Sequence, residues 1–207
     1  PKYRGMSTII VPKEQFEAID LGLKMGIRMT STAELSFRDA RVPLENLVGE
    51  ENRGFYQVLE FFDESRIEVA AQALGIAEGA LERAIAYAKE RRQFDVTLAD
   101  MPVIRHKIAE MATKIEAAKN LVYKAAWNFD QGRRIDPKLT SMAKYFASRV
   151  ANEVCYEAVQ ILGGYGYMTE YEVERFARDA RITEIYEGTS EIQKNTIADF
   201  MIGKRRG

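Results

Sequence analysis

The stretch MPVIRHKIAEMATKIEAAKNLVYKAAWNF, residues 101–129, decides the fold. Met101, Ile104, Ile108, Met111, Ile115, Ala118, Val122, Ala125 and Phe129 recur along it at spacings of three and four. Side chains so spaced share one face of an α-helix, and the period near 3.5 is that of a seam between packed helices. Pro102 falls in the first turn, where its missing N–H costs little. A helix is therefore predicted over about 100–130, with at least one partner helix lying along the seam.

The helical pattern extends to both sides. From Gly54 onward the pattern turns helical; Val58 to Glu90 reads as one long helix, interrupted only by Gly75 and Gly79, and Arg91-Arg92 puts positive charge at its C-terminal end, where the macrodipole favours it. Gly132 and Pro137 bound the connection to a third helix carrying Leu139, Met142, Phe146, Val150, Val154, Ala158 and Ile161, which ends at Gly163-Gly164. A shorter helix is predicted over Tyr171–Ala180 and a last one over Ser190–Ile202. The first fifty residues read differently. Ser7 to Val11 is apolar and β-branched and is closed by Pro12; Ala33 to Phe37 is a second strand, with Leu35 and Phe37 on one face. Val42-Pro43 and Asn46 mark turns. The expectation is a mainly α chain: an antiparallel four-helix bundle over 51–207, preceded by a partial β-sheet domain over 1–50.

A length of 207 residues allows one large domain or one and a half. Hydrophobic content of 46% and charged content of 29% are ordinary for a soluble globular protein. The net charge of −1 argues against nucleic acid or an anionic membrane as the main partner. Lys204-Arg205-Arg206 is read as a short solvated tail. No apolar run reaches the ~18 residues a membrane span needs, and no signal peptide is visible. The chain begins at Pro1 inside a strand-like region, so a truncated or processed chain is expected. Cys155 stands alone in an apolar helical pattern, which excludes an intrachain disulfide, fits a reducing compartment and reads as core. His106, the one histidine, lies off the Ile104/Ile108 stripe and reads as surface. No zinc site and no Ser-His-Asp arrangement is supported.

The chemistry concentrates in Ile185-Tyr186-Glu187-Gly188-Thr189-Ser190-Glu191-Ile192-Gln193. A carboxylate precedes Gly-Thr-Ser, and a helical pattern follows. Glu187 is a candidate base on a turn, and Gly188 permits close approach to the backbone. Thr189 or Ser190 caps the next helix, with Gln193 as capping-box partner. The N–H groups of that helix start suit a phosphate or an oxyanion.

This stretch resembles the catalytic segment of the acyl-CoA dehydrogenases. Four further segments fit that family in the same order: Lys24-Met25-Gly26-Ile27-Arg28 with Phe37 to Pro43; Arg91-Arg92-Gln93-Phe94; Gln160-Ile161-Leu162-Gly163-Gly164-Tyr165-Gly166-Tyr167; and Glu174 to Ile182. Together they cover nearly the whole chain. The resemblance implies the end of the family's middle β domain followed by its C-terminal helical bundle. It implies α,β-dehydrogenation of an acyl-CoA thioester with FAD. Glu187 would remove the α-proton from an apolar slot beside the flavin, and its backbone N–H would help hold the thioester oxygen. Some members carry the base on the first bundle helix, at a position matching Ser65 or a close neighbour. Serine cannot serve there, and Glu64, whose side chain points about 100° away, is the second choice after Glu187. Asp63 and Arg66, three apart on one face, would line the acyl-CoA cleft with Tyr186 and Gly188.

The resemblance assigns the cofactor to Arg91, Phe94, Gln160, Ile161, Leu162, Gly163, Gly164, Thr189 and Glu191. Arg91 would meet the pyrophosphate of a neighbouring subunit's FAD and Phe94 its adenosine, with the glycine turn near the adenine end. Two positions depart from the family: Asp95 stands where Gly usually follows the Phe, and Pro102 where a Gln is expected. Implied partners are acyl-CoA, an electron-transfer flavoprotein and further copies of the chain in a homodimer or homotetramer. No metal, nucleic acid or membrane is expected. The expected compartment is a prokaryotic cytoplasm or a mitochondrial matrix. Two alternatives stand beside this reading. One is a non-catalytic fragment, or one subunit of a split enzyme lacking the N-terminal half; the other is an acyl-CoA oxidase.

Overall fold

The computed structural model describes residues 3–132 and 135–204, so Arg205 and Arg206 of the basic tail lie outside the described residues. The chain divides into two compact units, Pro1–Phe62 and Asp63–Gly207.

The first unit holds two small antiparallel ladders. β1 (Thr8–Ile9) pairs with β4 (Leu47–Val48), and β2 (Phe16–Asp20) pairs with β3 (Ala33–Phe37). The register sets Phe16 opposite Phe37 and Ala18 opposite Leu35, so these four share one face, with the two phenylalanine rings 5.5 Å apart. The second predicted strand is therefore found as read, whereas only Thr8–Ile9 of Ser7–Val11 is paired. β2 is not among the predicted strands. Its sequence, Phe-Glu-Ala-Ile-Asp, offers too short an alternation to read without its partner. Helix α1 (Gly54–Glu90) begins within this unit. It starts at Gly54, where the sequence pattern turns helical, and its first turn is fixed by the Gly54 N–H donating to Met6 O (2.8 Å) and by Tyr3 stacking on Phe55 at 4.9 Å.

The second unit is the helical bundle. It contains the rest of α1, then α2 (Pro102–Asp130), α3 (Pro137–Leu162), the short α4 (Val173–Arg181) and α5 (Ser190–Ile202). A tight hairpin of β5 (Arg92–Gln93) and β6 (Val96–Thr97) joins α1 to α2. Helix α1 presents Ala70, Ala73, Ala77, Ala80, Ala84 and Ala88 at zero exposure, a stripe of small side chains that lets neighbouring helices approach closely. Gly79 continues that logic: a β-carbon there would lie 3.1 Å from the Phe176 ring. The predicted seam of α2 is the buried one at Met111, Ile115, Ala118, Val122 and Ala125, while Ile104 and Ile108 are half-buried at the start and Phe129 is exposed at the end.

Helix α3 is the centre. It packs on α2, α4 and α5 and is buried nearly all round. Its Asp136 cap accepts from the N–H groups of Lys138 and Leu139. Met142 and Phe146 of the predicted stripe are only half-buried, and the small residue after each, Ala143 and Ala147, is the one at zero or near-zero exposure. Cys155 is fully buried, and burial pushes its thiol up to about 12, so it is core as read. His106 is exposed.

Candidate active site

The site assembles from three helices and one turn, all in the second unit. Chain reversal at Glu187-Gly188 sets the geometry: Glu187 has φ 53° and Gly188 φ 90°, both in the left-handed region. For a glutamate that conformation is strained and persists only where the surroundings over-determine it. Here they do. Ser65 of α1, 4% exposed, donates its hydroxyl to the Glu187 carboxylate at 2.7 Å. Lys144 of α3 donates to the Gly188 carbonyl at 2.7 Å. Gln193 of α5 donates to the carbonyls of both Glu187 and Gly188, at 3.1 and 3.0 Å. The turn is thus held from α1, α3 and α5 together.

Glu187 is half-buried, and its carboxylate meets a hydroxyl, where a fully apolar slot was expected. Ser65 comes directly against it. Glu64 is exposed. Asp63 and Arg66 pair at 2.6 Å. Arg66 is 8% exposed, and its Nε is a buried donor without a hydrogen-bond partner among the described residues. Tyr186 donates its hydroxyl to Gln72, and burial raises its phenol above the ordinary value.

Thr189 is the N-cap of α5 and accepts from Ile192 N. The capping-box role expected of Gln193 is corrected. Gln193 lies one residue beyond the capping-box position, and its amide turns back to the carbonyls of 187 and 188. The close approach that Gly188 permits is made by that same amide, since a β-carbon at 188 would lie 2.6 Å from Gln193 Nε2. The Glu191 carboxyl is held below its usual range, first by its own backbone N–H and then by the Thr189 hydroxyl.

Lys144 is not singled out by the sequence reading. It is fully buried, and burial pulls its ammonium down to about 8; Arg66 pushes the same way, while Glu184, Glu187 and Glu191 oppose. A lysine flanked by Ala143, Phe146 and Ala147 on a helix of small apolar residues was the available signal, since a charge there needs a partner.

The residues expected to hold the cofactor fall in two places. Arg91, Ile161, Leu162 and Gly164 line one cavity of about 560 Å³ together with Tyr87 and Tyr165. Arg91 sits 5.4 Å over the Tyr165 ring. Gly163 has φ 59°, and nothing lies within 4 Å of a β-carbon built on Gly163 or Gly164, so backbone is open to a ligand there. Gly166 differs: a β-carbon would sit 2.5 Å from Val159 O, so it serves packing. Gln160 is exposed and Phe94 is 88% exposed. Thr189 and Glu191 line a second cavity of about 310 Å³ with Arg149, Arg181 and Lys194. The two cavities share no residue. An arginine, open glycine backbone and an exposed aromatic ring at one place, and cations around a helix N-terminus at the other, fit a dinucleotide with a pyrophosphate.

Both departures from the family pattern have a local reason. Phe94 and Asp95 form the turn between β5 and β6 with φ of 54° and 63°, as a two-residue type I′ turn requires. Asp tolerates the position usually given to Gly. Pro102 is the first residue of α2. Among the described residues no group of three or more His, Cys, Asp or Glu is arranged to hold a metal, and no helix is long and apolar enough to cross a membrane.

The chain resembles known proteins along its length. Residues 52–202 match the family described as acyl-CoA dehydrogenase, C-terminal domain. The chain is 47% identical over 204 residues to the caffeyl-CoA reductase–Etf complex subunit CarC of Acetobacterium woodii, covering 97% of this chain and 53% of that protein. It is 45% identical to the mitochondrial short-chain specific acyl-CoA dehydrogenase of Sus scrofa, covering 98% of this chain and 50% of that one. The solved butyryl-CoA dehydrogenase of Megasphaera elsdenii superposes with a TM-score of 0.94 at 46% identity, over 97% of this chain and 52% of the other. The chain therefore spans about half the length of the relatives it matches.

Proposed function

This chain belongs to the acyl-CoA dehydrogenase family, and from that membership we propose that it supplies the catalytic base and part of the cofactor site of a flavin-dependent acyl-CoA dehydrogenase. The reaction takes an acyl-CoA to the trans-2,3-enoyl-CoA. The observation that carries this reading is the Glu187 carboxylate held at 2.7 Å by the Ser65 hydroxyl, on a turn clamped from three helices.

Glu187 takes the α-proton of the thioester. Negative charge then grows on the thioester oxygen, and the Glu187 N–H is a donor for it. Bound FAD would supply the acceptor for the hydride that leaves the β-carbon. The Ser65 hydroxyl orients the carboxylate toward the α-carbon. Arg66 Nε, a buried unpaired donor, is suited to an acceptor of the acyl-CoA, and Asp63 fixes the guanidinium from the other side. Tyr186 and Gly188 complete the cleft. In the reverse direction the protonated Glu187 returns the proton to the α-carbon, the sense of reaction in the name of the Acetobacterium relative.

Arg91, Phe94 and the backbone of 160–164 hold one end of FAD, and Thr189 and Glu191 another. Because the two groups line separate cavities, the reading assigns them to FAD molecules shared between copies of the chain in a dimer or a dimer of dimers. An electron-transfer flavoprotein is the proposed oxidant, supported by the relative named as a subunit of an Etf complex. Relatives come from bacteria and from a mitochondrion, which suits a cytoplasm or a matrix.

The test is the visible spectrum of the FAD-loaded protein before and after a set of acyl-CoAs. Substrate bleaches the flavin in the unaltered protein, and Glu187→Gln binds acyl-CoA equally well but bleaches ~10²–10⁴-fold more slowly. Equal bleaching rates would remove Glu187 from the role of base.

A further inference from the structure

Lys144 is the one fully buried ammonium described in the bundle, and no step above uses it. Its Nζ reaches out of the central helix α3 to the Gly188 carbonyl at 2.7 Å. That carbonyl also accepts from Gln193 at 3.0 Å, so both of its lone pairs are engaged. The next carbonyl back, that of Glu187, is taken by the same Gln193 amide at 3.1 Å. The left-handed Glu187 is strained on its own, and a buried lysine is costly on its own. The two costs occur together at one turn, and each is met by the other: the turn offers a carbonyl deep in the bundle, and the lysine gives that carbonyl a charged donor.

We propose that Lys144 is a positioning residue for the proton-transfer step, fixing the Glu187-Gly188 backbone so that the carboxylate bonded to Ser65 faces the α-carbon of the bound acyl-CoA. The inference rests on Glu187 being the base. Ser65 fixes the end of the side chain and Lys144 fixes its root, so removal of Lys144 loosens the turn without touching substrate or flavin. An ordinary structural lysine would behave otherwise, since its loss would weaken the whole bundle.

The FAD-loaded protein with Lys144→Met separates these cases. The substitution removes the donor and the charge but keeps an unbranched apolar side chain. The expected results are threefold. Amide hydrogen exchange in a peptide spanning 185–192 rises at least tenfold, while that of the core of α3 is unchanged. Flavin bleaching by substrate slows at least tenfold. Acyl-CoA affinity and FAD content stay as they are, so the effect falls on kcat and not on KM. Lys144→Gln, which keeps a shorter neutral donor, recovers part of the rate, and it carries the same comparison should Lys144→Met fold poorly. Unchanged exchange and unchanged bleaching would overturn the proposal. Faster exchange spread evenly over α3 and α5 would also overturn it, making Lys144 a support of the bundle as a whole. Glu187→Gln measured alongside keeps the two readings apart. If it bleaches at the unaltered rate, the base assignment fails, while the exchange data still decide whether Lys144 holds the turn.

Discussion

Helix α2 and the turn at 186–190 are built on opposite principles. In α2 every local signal agrees with the fold: good helix formers, a proline at the first position and one apolar seam facing α3. The turn goes against local preference at Glu187, while its neighbours Gly188 and Thr189 suit a positive φ and a helix cap. It has a glutamate and a glycine at positive φ, and a lysine and a glutamine at zero exposure beneath them. The first region stabilises; the second holds a strained backbone and buried polar groups at some cost to stability. The difference shows where a bundle stores strain: in a short segment surrounded by regular helices that can bear it.

Breaking the regular region gives the largest effect on stability. Ile115 is 6% exposed on the seam, and Ile115→Ala costs about 2–5 kcal/mol in a denaturant titration. Per bound FAD, the chemical step stays as it was. A comparable loss of stability with a slowed proton transfer would mean that seam and turn are not separable.

The second prediction sharpens the comparison through pH. The folded value of Lys144, about 8, lies below its ordinary 10.5. Folding therefore expels a proton in that window, and stability rises as pH goes from about 8 to 10.5. The gain attributable to Lys144 is about 3 kcal/mol over the window. It reads out as a change in the unfolding free-energy difference between the protein and Lys144→Met. A pH-independent difference would mean that burial does not hold this ammonium down.

The smallest expected effect comes from Gly188→Ala. It places a β-carbon at 2.6 Å from Gln193 Nε2, in a φ of +90°. The cost is about 1–3 kcal/mol of stability. Turnover falls by more than that loss of folded protein explains.

What is legible in the sequence follows the same division. The seam of α2, the bounds of α5 and the strand Ala33–Phe37 carry their pattern within a few residues and are found as read. The stripe of α3 is only partly legible, because a helix covered on several sides has no single buried face to generate a period; Ala143 and Lys144 are buried where Met142 is not. β2 becomes readable only beside its partner strand. At the site, Glu187, Gly188 and Thr189 are adjacent in sequence and easy to name. Ser65 and Lys144 lie 122 and 43 residues earlier, measured to Glu187, and only the packing of α1 and α3 brings them to the turn. Gln193 stands out in the sequence, yet for the wrong contact. A capping box is inferred from spacing alone, whereas the direction of the Gln193 side chain is set by the carbonyls at 187 and 188.

The central claim is that Glu187 moves the α-proton. The measurement that reads this step alone is deuterium incorporation at the α-carbon of an acyl-CoA with no β-hydrogen, incubated with the FAD-loaded protein in heavy water. The account predicts steady incorporation by the unaltered protein and none above background with Glu187→Gln. Incorporation by Glu187→Gln at the unaltered rate would contradict it and would place the base elsewhere in the protein.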